Sequence, residues 1–292
     1  MNQNRRIPDF PAHGVLGIFL IVAMEAALVA SKLLPQSQLW RVTMWATPVL
    51  WWGYIFAVDA WIFRRKGASL LMSRRDLFAL ECILSVAFWC LFEAYNRLMP
   101  GWRYINLIEH LPTRFFGYAI AFATIMPGMF LTCELLQTFG VFSRAKISPV
   151  RWTRRGLAIS AIFGALFCFV PPFLPPRING HFWPFVWTGW FFLLEPFNYS
   201  RGATSIFRDW ERGSLARTLQ FFLAGAICGV LWEFWNAWAY TKWIYIFPAA
   251  RALHIFEMPL AGFLGFLPFA LEYFVMFHFI ASFFTREDRL GL

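Results

Sequence analysis

The chain has 292 residues, of which 59% are hydrophobic and only 14% are charged, and its formal net charge is +10. A soluble domain carries about 25% charged residues. This composition therefore excludes an ordinary water-soluble domain, and it makes nucleic-acid binding a poor explanation of the positive charge. Apolar windows of about 20 residues recur along the chain, as bilayer-crossing helices require. We predict an all-α integral membrane protein.

Eight apolar segments are predicted to span the membrane. Their approximate limits are 15–34, 44–63, 77–98, 115–138, 156–174, 183–199, 218–240 and 259–284. The sixth segment is short and aromatic, which indicates a tilted, broken or partly inserted helix. Most Lys and Arg residues lie in the two terminal segments and in the loops after spans 2, 4 and 6. The positive-inside rule then predicts a multi-pass protein of the cell (inner) membrane with both termini in the cytoplasm.

The second half of the sequence repeats features of the first half. The pairs Glu93/Glu233, Asn96/Asn236, Trp102/Trp243, Tyr104/Tyr245 and Pro127/Pro268 are all separated by about 140 positions, and Trp51/Trp187, Gly53/Gly189 and Asp59/Glu195 by slightly fewer. An offset that drifts in one direction is typical of a duplication with loop insertions. We predict two tandem four-helix repeats, residues 1–150 with spans 1–4 and residues 151–292 with spans 5–8.

The repeated Glu-x-x-Asn motif is the leading candidate for a functional site. Its two side chains share one helix face, and it occurs as Glu93/Asn96 near the end of span 3 and as Glu233/Asn236 near the end of span 7. Acids inside a membrane are costly and suggest either a function or a partner. Almost no Lys or Arg lies within the spans, so protonated acids, ion transit and acid chemistry on an apolar substrate all stay open. A purely structural bond between helices is a further alternative.

Aromatic residues surround these motifs. The predicted ligand-contacting set comprises Trp232, Trp235, Trp102, Tyr104, Trp243 and Tyr245, with Glu134 and Glu272 as secondary acids. Membrane-interface belts explain the W-x-Y residues of the two loops equally well. Indole faces also attract cations, so an acid among them could protonate an alkene and shelter the carbocation.

Three histidines, His110, His181 and His254, are predicted on the non-cytoplasmic side. A metal or haem site there is an open alternative, but the chain has no HxH, HExxH or CxxCH pattern, and we predict no metal. No cofactor is indicated by the sequence.

The segment NAWAYTKWIYIFP, together with HIFEMPLAGFLGFLPFALEYFVMF, resembles the membrane lycopene cyclase domain family. The resemblance lies in an Asn-Trp segment, a W-x-Y-x-P-like loop and a Pro-led helix rich in Glu and Phe, over about 50 residues. It implies a duplicated helical bundle that cyclises a linear carotenoid by acid catalysis. That family begins its helix with Pro-x-Glu-Glu, where this chain has Pro259-Leu-Ala-Gly262, and it has three spans per repeat, so no catalytic residue is carried over.

These patterns favour a protein that binds an apolar, isoprenoid- or lipid-like ligand where the repeats meet, and that converts it by acid catalysis if it is an enzyme. Glu93, Asn96, Glu233 and Asn236 form the predicted polar centre. A proton- or cation-coupled transporter is the second hypothesis, and a structural subunit of a larger membrane complex is the third. The expected partners are the bilayer, an apolar small molecule and, for the third hypothesis, a membrane complex; no nucleic acid is expected.

Overall fold

A computed structural model describes residues 9–248 and 253–284 of the chain. The described part is mostly helical, with four short strands. The helices are α1 (Ala12–Leu33), α2 (Trp40–Thr43), α3 (Ala46–Lys66), α4 (Leu70–Ser73), α5 (Arg75–Leu98), α6 (Leu111–Phe122), α7 (Ile125–Thr138), α8 (Arg154–Phe169), α9 (Trp183–Arg201), α10 (Ile206–Glu211), α11 (Ala216–Trp238) and α12 (Phe266–Ala281). The strands are β1 (Trp102–Ile105), β2 (Lys242–Tyr245), β3 (His254–Ile255) and β4 (Met258–Pro259). Arg5, Arg6 and the C-terminal basic residues, on which the predicted orientation partly rests, lie outside the described residues.

Within the described ranges, seven helical segments are long and apolar enough to cross a membrane. They are Ala12–Leu33, Ala46–Lys66, Arg75–Leu98, Leu111–Thr138, Arg154–Phe173, Ala216–Trp238 and Leu260–Ala281. The predicted sixth span corresponds to α9, which is 19 residues long but is not among the seven. Its Trp, Pro, Glu and Asn residues lower its mean hydropathy.

The fourth and eighth predicted spans are each interrupted shortly before a proline. α6 ends at Phe122 and α7 begins at Ile125, two residues before Pro127. A 3₁₀ segment, Leu260–Gly265, leads into α12, which begins two residues before Pro268. Proline lacks an N–H and is best tolerated in the first turn of a helix. Pro127 and Pro268, which the repeat pairs, therefore each lie in the first turn of a restarted helix.

The chain forms two compact units, and both are discontinuous in sequence. Unit 1 contains residues 1–86, 105–139 and 235–242, and unit 2 contains residues 87–104, 140–234 and 243–292. In unit 1, α3 packs against α1, α6 and α7. In unit 2, α9 packs against α8, α10 and α12.

The two units use the same close helix contact. In unit 1, a Cβ atom at Gly53 of α3 would lie 2.9 Å from the Gly17 carbonyl of α1. In unit 2, a Cβ atom at Gly189 of α9 would lie 2.7 Å from the Cys168 Sγ of α8. Such distances leave no room for a side chain, so glycine at these two positions lets the helix pairs α1–α3 and α8–α9 approach closely.

Candidate functional site

The first predicted acid, Glu93, lies near the end of α5 in unit 2 and accepts three hydrogen bonds on one oxygen. Its Oε1 accepts from the Tyr104 hydroxyl at 2.6 Å, the Trp102 Nε1 at 3.0 Å and the Trp89 Nε1 at 3.1 Å. Trp89 precedes Glu93 by one helical turn, whereas Trp102 and Tyr104 come from β1. The predicted association of the acid with its W-x-Y loop is present in the structure.

Asn96 shapes the loop that returns β1 to Glu93. Its Oδ1 accepts the N–H groups of Gly101 at 2.8 Å and Trp102 at 3.1 Å, and its Nδ2 donates to the Trp102 carbonyl at 3.0 Å. These bonds satisfy backbone groups just beyond the helix end, where helices leave groups unpaired. Gly101 lies directly against the Trp183 indole, which leaves no space for a side chain there.

The second predicted acid, Glu233, lies near the end of α11, also in unit 2, and is fully buried. Its Oε1 accepts from the Tyr245 hydroxyl at 2.7 Å, and this hydroxyl accepts from the Trp243 Nε1 at 3.0 Å. Among the residues that the structure describes, none hydrogen-bonds to the other carboxylate oxygen, Oε2.

The two W-x-Y loops belong to one small sheet, because β1 pairs with β2. The Ile246 N–H, just after β2, donates to the Gly101 carbonyl at 2.8 Å, just before β1. Tyr104 and Tyr245 therefore lie on paired strands, and each donates its hydroxyl to the glutamate of its own sequence half. The two acid clusters are neighbours through this sheet.

The clusters differ at the position one turn before each glutamate. Glu93 has Trp89 at this position, and Glu233 has Gly229. The Phe266 ring of α12 packs directly on Gly229, where a side chain would overlap it. Glu233 thus lacks the tryptophan donor that Glu93 receives from its own helix, and it keeps one buried oxygen without a partner in the described chain.

An aromatic cluster extends from Glu93 to Glu233 within unit 2. Phe269 lies at its centre, with ring centroids 6.1 Å from Trp89 and 6.3 Å from Trp232. Trp232 stacks on Phe266 at 5.9 Å, and Phe269 contacts Tyr273 at 4.7 Å. We define the aromatic cluster as Trp89, Phe92, Trp102, Trp183, Trp232, Phe266, Phe269 and Tyr273. Trp89 and Trp102 of this cluster donate to Glu93, and Trp232 immediately precedes Glu233 in α11.

The two strand tyrosines are held as hydrogen-bond donors. Burial, and next the negative charge of Glu93, raise the pKa of the Tyr104 hydroxyl well above its ordinary value. Burial and the Glu233 carboxylate do the same to the pKa of Tyr245. Both phenols therefore keep their protons at neutral pH.

Three members of the predicted site belong to unit 1, namely Trp235, Asn236 and Glu134. Trp235 donates its indole N–H to Glu25 Oε1 at 2.8 Å and contacts the Trp51 ring at 5.1 Å. It does not join the Glu233 cluster, because a residue two positions along a helix points about 200° away from the first. Asn236 is fully buried.

Glu134, a predicted secondary acid, is neutralised by basic side chains in unit 1. Both of its carboxylate oxygens accept from Arg74 Nη2 at 2.9 Å, and Lys66 forms a second ion pair with it. The expectation that no Lys or Arg would reach the membrane acids is therefore wrong for Glu134. Lys66 and Arg74 flank the predicted span ends, and their long side chains extend to the buried acid.

Glu272, the other secondary acid, lies on α12 and is fully buried. Its Oε1 accepts the Trp190 backbone N–H of α9 at 2.9 Å. It contacts neither carboxylate of the two clusters by a hydrogen bond, and it forms a separate site in unit 2.

The histidines make local contacts. His110 Nδ1 lies 2.7 Å from Thr113 Oγ1, and His181 Nδ1 lies 3.2 Å from the Ile178 carbonyl. His254 is exposed in β3. In residues 9–248 and 253–284, no group of three or more His, Cys, Asp or Glu side chains is placed to hold a metal ion.

The sequence reasoning missed several members of the aromatic cluster. Trp89 precedes Glu93 by four residues, and this spacing alone places both on one helix face. Phe266 and Phe269 flank Pro268, which the repeat had already singled out. Trp183 carried no such signal, because its contact with Trp102, at 4.9 Å between ring centroids, joins residues distant in sequence.

Comparison with known proteins adds no functional information: no protein-family model, no curated protein and no solved structure matches the chain.

Proposed function

We propose that this multi-pass membrane protein binds an apolar, isoprenoid- or lipid-like ligand against the aromatic cluster of unit 2, and that Glu233 is the acid that acts on it. Glu93, in this proposal, is the structural twin of Glu233. The observation that carries the proposal is the difference between the two clusters. Glu93 is partly exposed and accepts three bonds on its Oε1, whereas Glu233 is fully buried and its Oε2 has no partner among the described residues.

The Oε2 of Glu233 is a buried acceptor without a partner among the described residues. Leaving a buried acceptor without a partner costs about 1–3 kcal/mol, and more for a charged group. No ion pair of Glu233 is found among the described residues. A proton on Oε2 removes the charge, and it makes the carboxyl a donor towards a bound molecule.

The chemistry that follows is proton transfer to carbon. The Glu233 carboxyl proton adds to one carbon of a ligand double bond, whose electron pair forms the new C–H bond. The resulting carbocation is stabilised by the faces of the surrounding indole and phenyl rings. Loss of a proton from a neighbouring carbon to the carboxylate restores the acid and leaves an isomerised ligand, without net oxidation or reduction.

We also propose that the chain has eight spans arranged as two tandem repeats, with both termini in the cytoplasm. Four matched features support the repeats: the helix restarts before Pro127 and Pro268, the glycine contacts at Gly53 and Gly189, the two Glu–Tyr hydrogen bonds, and the pairing of β1 with β2. In this arrangement α9 serves as the sixth span.

The binding step is tested by lipid extraction and mass spectrometry of the protein purified in mild detergent. We expect the wild-type protein and Glu93→Gln to carry the same apolar molecule, and Glu233→Gln and Tyr245→Phe to carry markedly less. Equal amounts of the same molecules in all four proteins, or no retained molecule in any of them, would contradict a site at Glu233.

The chemical step is tested with the extracted molecule in D₂O. If Glu233 protonates carbon, the product recovered from the wild-type enzyme contains solvent deuterium, and the product from Glu233→Gln does not. Glu93→Gln is the matched control, since it changes the same functional group in the twin cluster. Deuterium incorporation that is unchanged in Glu233→Gln assigns the acid role to another residue.

Proton-coupled transport is the second candidate, and it is favoured by the paired strands. Tyr104 and Tyr245 each bond to a carboxylate, so the β1–β2 sheet connects two groups that can exchange protons. Uptake into proteoliposomes that depends on a proton gradient and fails in both Tyr→Phe variants would support transport over the first proposal.

A further inference from the structure

Glu272 forms a second buried acid site, which the proposed function does not use. The site lies among four helices of unit 2, with Tyr95 from α5, Cys168 from α8, Trp190 from α9, and Glu272 with Tyr273 from α12. All but Trp190 are buried, and Cys168, Glu272 and Tyr273 have no exposed surface. Tyr95, Cys168 and Tyr273 are the ionisable groups close enough to be influenced by the charge of Glu272.

One carboxylate oxygen of Glu272 accepts a hydrogen bond from the backbone of α9. Its Oε1 accepts the Trp190 N–H at 2.9 Å, and the neighbouring Phe191 N–H also favours the charged carboxylate. An N–H inside a helix is normally committed to the carbonyl four residues earlier. A side-chain acceptor in the middle of α9 is therefore a specific feature of this site, and it supports the deprotonated form of the carboxyl.

The surroundings of the second oxygen, Oε2, favour the protonated, neutral form of the Glu272 carboxyl. No residue of the described chain hydrogen-bonds to Glu272 Oε2, and the Tyr273 hydroxyl likewise lacks a partner there. Glu272 forms no ion pair among those of the described residues. An isolated buried carboxylate is strongly disfavoured, and a proton on Oε2 would remove its charge.

We propose that Glu272 is a proton-exchange site in the interior of unit 2, which binds and releases one proton. The two backbone N–H groups stabilise the carboxylate, while burial without a counter-ion stabilises the acid. A carboxyl kept permanently neutral would donate to a fixed acceptor, and one kept permanently charged would have a cation, as Glu134 has in Arg74 and Lys66. Glu272 has neither, so both of its states are accessible.

Labelling with a hydrophobic carbodiimide in detergent or vesicles provides the first test. The reagent takes the proton of a neutral carboxyl onto nitrogen and the carboxylate onto carbon, and rearrangement leaves an N-acylurea that retains all atoms. Peptide mass spectrometry should find an adduct on Glu272 that decreases as pH rises. The adduct on Glu134, which is ion-paired with Arg74 and Lys66, should be lower by about tenfold or more.

Infrared spectroscopy as a function of pH provides a second test that does not depend on reagent access. The wild-type protein should show the carbonyl band of a protonated carboxyl that disappears at higher pH, and Glu272→Gln should lack that component. The Gln side chain still accepts the Trp190 N–H, which favours folding of the variant. A Glu272 band that is absent at every pH, or one that never titrates, would overturn the proposal.

Proton exchange at Glu272 does not depend on the function proposed for Glu233. Retained ligand and deuterium incorporation report on Glu233, whereas the labelled peptide and the titrating band report on Glu272. Failure of either proposal therefore leaves the other measurable.

Discussion

Asp59 and Glu195 hold the same two hydrogen bonds in different units. Asp59 accepts from the Ser69 hydroxyl at 2.8 Å and the Leu71 N–H at 2.9 Å, ten and twelve residues later. Glu195 accepts from the Ser205 hydroxyl at 2.5 Å and the Phe207 N–H at 2.8 Å, at the same spacings. In each case an acid near the end of a long helix secures the start of the next short helix.

The glycine that ends the long helix and the serine that begins the short helix are also equivalent in the two units. α3 ends at Gly67 with φ +75°, and α9 ends at Gly202 with φ +80°, the left-handed conformation that glycine adopts most readily. Ser69 and Ser205 are the N-caps of α4 and α10. Asp59 and Glu195 therefore have a structural role at this end of each unit.

The first prediction concerns these capping serines. Ser69→Ala and Ser205→Ala should each lower the free energy of unfolding by about 2–4 kcal/mol, because each removes an N-cap and a hydrogen bond to a buried acid. Thr153→Ala is the control, since Thr153 caps α8 without such an acid, and it should cost about 1 kcal/mol. Denaturation in mixed micelles measures all three. Equal losses would show that the acid bonds contribute nothing.

The second prediction concerns the neutralised acid, Glu134. Arg74→Ala should destabilise the protein more than Lys66→Ala, because Arg74 contacts both carboxylate oxygens and is less exposed, at 22% against 42%. Breaking a buried ion pair costs about 3–5 kcal/mol, and the remaining lysine should bring this loss towards the lower limit.

A double variant separates charge from packing at this site. Arg74→Ala with Glu134→Gln should recover part of the stability that Arg74→Ala loses, since no uncompensated carboxylate remains buried. Unfolding free energies of the four proteins in the cycle give the coupling energy. A coupling energy near zero would mean that the observed contact does not stabilise the fold.

The third prediction is a loss of stability at high pH that depends on Tyr104 and Tyr245. The folded protein raises the pKa of both hydroxyls above the ordinary tyrosine value of about 10. Above about pH 10 the unfolded chain binds fewer protons than the folded protein. The free energy of unfolding therefore falls as pH rises, until the pH exceeds the raised pKa values of the two hydroxyls in the folded protein. Below about pH 10 this contribution is fully present.

Unfolding midpoints between about pH 8 and pH 11 measure this effect. The variant with both Tyr104→Phe and Tyr245→Phe should start less stable at pH 8, and its stability should decline less steeply with pH than that of the wild-type protein. Tyr240→Phe is the control for removal of a tyrosine from the same part of the chain. Parallel declines in all three proteins would contradict the assignment.

The sequence predicted the helices well, because the bilayer imposes a length and an apolar composition that can be read directly. It also paired Pro127 with Pro268, and it placed the two glutamates and the W-x-Y residues in one candidate site. These features depend on local chemistry and on a repeat that can be detected by offset alone.

The partners of individual polar groups were less predictable. Trp235 belongs with Glu25, more than two hundred positions away in sequence, and only the fold determines that contact. The neutralisation of Glu134 could not be predicted, because Lys66 and Arg74 lie beyond the ends of the predicted spans and only the fold brings them to the acid. The sequence shows that Trp89 in the first half is replaced by Gly229 in the second half. Only the structure shows that the Phe266 ring packs on Gly229 and leaves no room for a side chain there.

The final prediction tests the close contact between α8 and α9. Gly164 of α8 lies against the backbone of Leu193 in α9, so a Cβ atom would overlap main-chain atoms that cannot rotate away. Gly164→Ala should therefore cost about 1–3 kcal/mol or more through overpacking.

Gly117 of α6 is the matched helical control, because a Cβ there would lie 3.5 Å from the Trp45 ring, an ordinary contact. Gly117→Ala should be neutral or stabilising by up to about 1 kcal/mol, since alanine favours a helix. The change in unfolding free energy relative to the wild-type protein, measured in micelles, should therefore differ in sign between the two variants. If Gly164→Ala matched Gly117→Ala, α8 and α9 could not be packed at the distance that positions Cys168 beside Glu272.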